Sequence, residues 1–226
     1  MGTMSDALTT ASGSAARRPP APIGLLLVRG RTEAVVAWAA RGLVSLRVVP
    51  LENGWCGLVP AEPTSPLVAP YDDPVGLLLG RPVPRGLRPS FGATVVHDQA
   101  LLTATPGGWR AVQRWVAWRP GTGLVPPGGL PTLRLAALVH LAGVDDPGAL
   151  AEVADIVHDA VGSPLEVLQG LLAALHLPGG DLLGTPAQGP WRPGSTLVPA
   201  SDKGVAAFGR MVSDDASWRA EMGGGS

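Results

Sequence analysis

Glycine and proline interrupt this chain every few residues, and that punctuation limits what it can fold into. The 226 residues include 31 Gly and 24 Pro. Proline fixes φ and lacks an N–H, and glycine supplies the positive φ of tight turns, so the elements between them are short. The expectation is a folded protein with many turns and mobile ends. Apolar residues make up 46% and charged residues 15%, too hydrophobic and too weakly charged for a disordered chain. No apolar run approaches the roughly 18 residues of a membrane helix. Leu135 to Val144 spans ten and contains His140. Arg17 and Arg18 precede only the short run Ile23 to Val28, which lacks the layout of a signal peptide. A cytoplasmic address without membrane insertion is therefore expected. With Cys56 alone, no intramolecular disulfide and no cysteine-based metal knuckle is available.

Between the breaks, the order of elements reads as α+β. Residues 1–22 form a tail of small residues and prolines. Ile23 to Arg29 is a continuous apolar run that fits a buried strand. A helix over Arg31 to Arg41, with Glu33 in its first turn and Gly42 past its end, follows. Strands over Leu43 to Val49 and Trp55 to Val59 pair across the turn Glu52-Asn53-Gly54. A split β-α-β unit of the ferredoxin type begins in this order. Residues 60–90 read as a Pro-rich loop holding one helix, Val75 to Leu79, capped by Asp73 with Pro74 at its first position. Phe91 to Trp118 reads as an antiparallel meander whose third strand runs from Trp109 to Trp118. Residues 119–131 form a Pro/Gly linker. Helices are then expected over Thr132 to Ala142, from Asp146 to Val161, and from the Ser163 cap to His176. Ser163 and Glu166 make a capping box. Residues 178–200 are loop, a last helix runs from Lys203 to Ser213, and 214–226 is a flexible end. The domains so drawn are an α+β part at 23–118 and a helical part at 132–213, docked together or separate. Trp118-Arg119-Pro120-Gly121 recurs as Trp191-Arg192-Pro193-Gly194, which predicts two type II turns.

The net charge of -1 is a cancellation. Residues 1–134 hold thirteen Arg against seven acids, whereas residues 135–226 hold four basic residues against eleven acids. The halves either neutralise each other by docking or present a basic face to an anionic partner. Overall near-neutrality argues against nucleic acid. Sixteen Arg against one Lys matches coding in a GC-rich genome and points to a bacterial source.

Three sets of residues are candidates for chemistry. Asp155 and His158 share a helix face, and Asp159 follows. With His140 upstream and Asp202, Asp214 and Asp215 downstream, they offer imidazole and carboxylate ligands to a divalent ion. The order His, His-Asp, distant Asp resembles that of HD-type metal phosphohydrolases, although no Gly-Lys follows His158-Asp159. The simpler reading puts Leu150, Val153, Val157, Ala160 and Val161 in the buried stripe and Glu152, Asp155 and Asp159 on the solvated side. The second set is Trp109, Arg110, Arg114, Trp115, Trp118 and Arg119. On a strand, Arg110, Arg114 and Trp118 point one way, and Trp109 and Trp115 the other. Arginine beside tryptophan suits a protein contact, or else Trp109 and Trp115 fill the core beneath a wet Arg face. The third is Cys56, expected to be buried inside a strand.

No Gly-x-Ser-x-Gly elbow, phosphate loop, His-Glu-x-x-His or dinucleotide fingerprint occurs, and no cofactor is implied. The sequence thus points to a non-catalytic interaction or regulatory protein whose partner is another protein. Its expected contact residues are Arg110, Arg114 and Trp118, with Glu152, Asp155 and Asp159 as a second surface. The alternative is a metal-dependent phosphohydrolase using His140, Asp155, His158 and Asp159.

Overall fold

A computed structural model describes residues 23–109, 111–185 and 191–223. The expected tail at 1–22 lies outside them. The elements, in chain order, are β1 (Gly24–Arg29), α1 (Thr32–Ala39), β2 (Leu46–Pro50), β3 (Trp55–Pro60) and α2 (Pro74–Leu79). Next come β4 (Ser90–Val96), β5 (Gln99–Thr105), β6 (Arg114–Arg119) and β7 (Gly123–Val125). The C-terminal part holds α3 (Leu135–Ala142), α4 (Ala149–His158), α5 (Pro164–Ala174), β8 (Thr196–Val198) and α6 (Asp202–Gly223). The eight strands form one antiparallel sheet in the order β7-β6-β5-β4-β1-β3-β2-β8. The fold class is α+β.

The first unit is β1-α1-β2-β3-α2-β4 with strand order β4-β1-β3-β2, a doubled split β-α-β. Local chemistry sets its corners. Asn53 (φ 54°) and Gly54 (φ 74°) take the left-handed conformations that return β2 as β3. Asp73 accepts from the backbone N–H of Val75 at 2.9 Å and of Gly76 at 3.0 Å, capping α2 as its sequence predicts. Gly92 in β4 lets α2 close on the sheet, because a Cβ there would lie 2.7 Å from Leu79.

Both faces of the sheet are covered. Leu26 and Val28 of β1 pack with Val35 and Trp38 of α1 and Val75 and Leu78 of α2. Leu25 and Leu27 face the opposite way, into a core with Leu138 of α3, Val153 and Val157 of α4, and Leu168, Leu171 and Leu172 of α5. A strand buried on both sides has no polar alternation, which is why β1 reads as a continuous apolar run. The C-terminal helices thus pack on the sheet. Within α5, Ser163 and Glu166 form the expected capping box. Gly121 (φ 70°) and Gly194 (φ 82°) each close a turn, with Thr122 N–H donating to Arg119 C=O and Ser195 N–H to Arg192 C=O. The repeated Trp-Arg-Pro-Gly is shared turn chemistry.

The structure corrects several boundaries. The third strand of the meander starts at Arg114, not Trp109. The stretch expected to be linker contains β7, paired with β6, and the loop expected at 178–200 contains β8, paired with β2. The last helix continues past Ser213 to Gly223. On α4, Val153 and Val157 are buried, but Leu150 and Val161 are exposed, because the helix ends at His158 and only one narrow stripe meets the sheet.

Candidate functional site

The Arg–Trp set does not form one surface. Trp118 is 1% exposed, and its indole N–H donates to the Asp159 carbonyl at 3.1 Å, tying β6 to the end of α4. It is a core residue, which corrects its assignment to a contact face. Arg114, Val116 and Trp118 do share one side of β6, as alternation requires. That side is the one beneath the C-terminal helices, and Arg114 escapes burial only at the strand's start. Trp109, expected in the core, is 85% exposed in the loop before β6. Trp115 packs partly against the opposite face. Arg110 lies outside the described residues.

The His/Asp set does not assemble either. His140 is exposed on α3, and Asp155 and His158 are exposed on α4. His158 Nδ1 lies 2.7 Å from the Ala154 carbonyl of its own helix. The Asp159 carboxylate accepts from the Val161 N–H at 3.1 Å, closing the turn after α4. Among the described residues, no three His, Cys, Asp or Glu side chains converge as a metal site would need. Glu152, Asp155 and Asp159 stand on the solvated side of α4.

Cys56 is buried in β3 beside the Thr32 hydroxyl (3.7 Å) and the Gly30 carbonyl (3.8 Å). Burial pushes its thiol pKa up, outweighing the Thr32 hydrogen bond that pulls it down, and the Glu33 charge adds to the rise. A nucleophilic cysteine needs the reverse. Two ion pairs, Arg31–Glu33 and Arg192–Asp181, are exposed, and each lies within one half.

A different site emerges around α6. The Ser201 hydroxyl accepts from Gly204 N–H at 3.1 Å, and Ser201 N–H donates to the Gly42 carbonyl at 2.8 Å. These bonds fix the start of α6 beside the α1–β2 connection. Phe208 then meets Tyr71, from the Pro-rich loop, edge to face at 5.0 Å between ring centres. A groove lined by Leu67, Val68, Val205 and Val212 lies on one side of this contact, and a cavity lined by Leu43, Leu77 and Arg81 on the other. Beyond it the helix loses its support. Met211 is 57%, Trp218 61% and Met222 69% exposed. With Phe208 they lie within an arc of about 80°, at the 3-7-4 spacing of a helix seam. Sequence reasoning missed this stripe because it ended the helix at Ser213. The signal was present in the spacing of Phe208, Met211, Trp218 and Met222.

Comparison with protein-family models, curated proteins and solved structures finds no match to this chain. Among the described residues, no helix is long and apolar enough to cross a membrane.

Proposed function

We propose that this chain is a non-catalytic, cytoplasmic interaction or regulatory protein of bacterial origin, and that the outer half of α6 is its contact element. The observation that carries the reading is the apolar stripe of Met211, Trp218 and Met222, each more than half exposed on one side of a single helix. Large apolar side chains grouped in this way mark an interaction site, whereas scattered ones do not. The occupant is an apolar groove on a second protein that receives the helix face, with Trp218 as the anchor. Asp214, exposed beside the stripe, favours a basic rim on that groove. At about 150–250 Å² for a whole tryptophan and about 200 Å² for each methionine, exposures of 57%, 61% and 69% leave the stripe about 400 Å² of apolar surface. That is half of one side of a standard interface, so neighbouring residues must contribute the rest. The basic-tract and acidic-face residues Arg114, Glu152, Asp155 and Asp159 are exposed and free to add charge steering, but they carry no apolar anchor.

The test is a pull-down from the native cell with the full chain and with Trp218→Glu, at low and high salt. A protein retained stoichiometrically by the parent and lost with Trp218→Glu, at unchanged circular dichroism, supports the reading. Capture that ignores the substitution, or formation of a dimer of this chain that buries Trp218, refutes it.

A further inference from the structure

Between α2, the α1–β2 connection and the inner face of α6 lies a cavity of about 540 Å³, inside the range of roughly 300–1,000 Å³ typical of small-molecule sites. Its wall is largely aliphatic and aromatic, with Leu43, Leu77, Tyr71 and Phe208 prominent. Two arginines interrupt it. Arg81 is half-buried and donates to the Trp38 carbonyl at 2.7 Å and the Ala39 carbonyl at 3.5 Å, with its guanidinium 4.2 Å from the Trp38 ring centre. Arg41 lines the same cavity and is exposed. Neither is in an ion pair among the described residues. The acid on the wall, Asp73, spends its oxygens on the N–H groups of Val75 and Gly76.

Two guanidinium charges against the one carboxylate of Asp73 leave a net positive charge on an apolar cavity, which a single anionic group neutralises. We propose that this cavity binds a small monocarboxylate with an apolar tail, the tail between Leu77 and Phe208 and the head group against Arg41 and Arg81. Arginine presents a planar fork that matches a carboxylate. Asp73 on the same wall opposes the second charge of a phosphate head, which sets the class as carboxylate. The site uses Phe208, in the first two turns of α6, and not the outer residues Met211, Trp218 and Met222, so it does not rest on docking through Trp218.

Titration calorimetry on the full chain with decanoate, decanol and decyl phosphate, each below its aggregation concentration, tests this. Decanoate is expected to bind at one site per chain, with decanol weaker by about tenfold or more, the scale of one charged hydrogen bond. Decyl phosphate is expected to bind no tighter than decanoate. Arg41→Gln should reduce decanoate affinity by about tenfold and leave decanol unchanged, and Leu77→Trp should block both by filling the cavity. Absence of decanoate binding, equal binding of decanol, tighter binding of decyl phosphate, or full binding by a folded Leu77→Trp chain overturns the proposal. Should Leu77→Trp not fold, the comparison of the three ligands on the parent chain still decides it.

Discussion

Replacing Trp118 with phenylalanine separates a core residue from a contact residue. The substitution keeps an aromatic ring but removes the indole N–H that reaches the Asp159 carbonyl at 3.1 Å. Losing that bond costs about 0.5–1.5 kcal/mol net. The smaller ring also gives up close to one methylene's worth of contact, about 0.8 kcal/mol plus a cavity contribution. The sum is about 2 kcal/mol. For a chain of this length that lowers the melting temperature by about 4–8 °C. Trp118→Ala, which empties a site only 1% exposed, should cost about 3–5 kcal/mol. Urea denaturation followed by circular dichroism reads both, with an unchanged m-value as the check that only stability has moved. Asp159→Ala is the control. The acceptor is its main-chain carbonyl, so truncation costs only the exposed side-chain bond from the Val161 N–H, about 0.5 kcal/mol, and the urea midpoint should stay closer to the parent than that of Trp118→Phe. A Trp118→Phe chain within about 0.5 kcal/mol of the parent, the range of ordinary surface changes, would refute the burial argument and return Trp118 to the surface.

Two further outcomes follow from local chemistry. Native Cys56, with its thiol pKa raised by burial, should resist iodoacetamide at pH 8 over a time that labels the urea-unfolded chain completely. Comparable labelling of the native chain would mean that β3 is open to solvent. Its folded pKa lies above the unfolded one, so the stability linked to the neutral thiol is intact below about pH 8.5 and declines as pH rises through the folded value. Ser163→Ala should cost about 1 kcal/mol through loss of the α5 cap. Glu166, whose pKa is lowered by the backbone N–H and then the hydroxyl of Ser163, works in the opposite sense. Its contribution is present above about pH 4.3, the ordinary glutamate value, and is lost as pH falls through its lower folded value. Thermal midpoints of the parent and Glu166→Gln chains from pH 7 to pH 3 should therefore converge, and parallel curves would contradict the capping box.

What the sequence made legible is what local groups decide. The α2 and α5 starts were readable because Asp73 and Ser163 cap their own next residues, and the two Pro-Gly turns because glycine alone supplies the positive φ at no cost. Strands β7 and β8 were not. Each has three residues and exists through pairing with β6 or β2, which no local pattern encodes. The orientation of β6 was half legible. Alternation placed Arg114 and Trp118 on one side, but on a sheet covered on both faces it does not say which side meets which layer. For the metal candidates, helical spacing puts Asp155 and His158 on one face. It could not bring His140 or the distant acids to them, since that depends on how α3, α4 and α6 pack. The α6 site joins Phe208 to Tyr71, a contact between a loop and a terminal helix far apart in the chain.

The same packing explains why a contact function falls to α6. A sheet with helices on both faces has no free face to offer, and edge strands of only three residues, β7 and β8, present little backbone for pairing with another chain. Several other large apolar residues exposed among the described positions, such as Val68, Trp109 and Val161, stand in separate loops, where isolated apolar exposure is ordinary. Among the described residues, three such side chains repeat at helical spacing on α6. A 22-residue helix is about 33 Å long, and its anchor at Ser201, Val205 and Phe208 lies within its first two turns or just before them. The remainder extends beyond what this chain covers. Holding that stripe in water is unfavourable by the hydrophobic term alone, and a surface that groups it on one helix face gains by meeting a groove. The binding energy then depends on Trp218 more than on any charge, so retention of a partner should fall steeply with Trp218→Glu and only weakly with salt, whereas an interface built on Arg114 and the α4 acids would show the reverse.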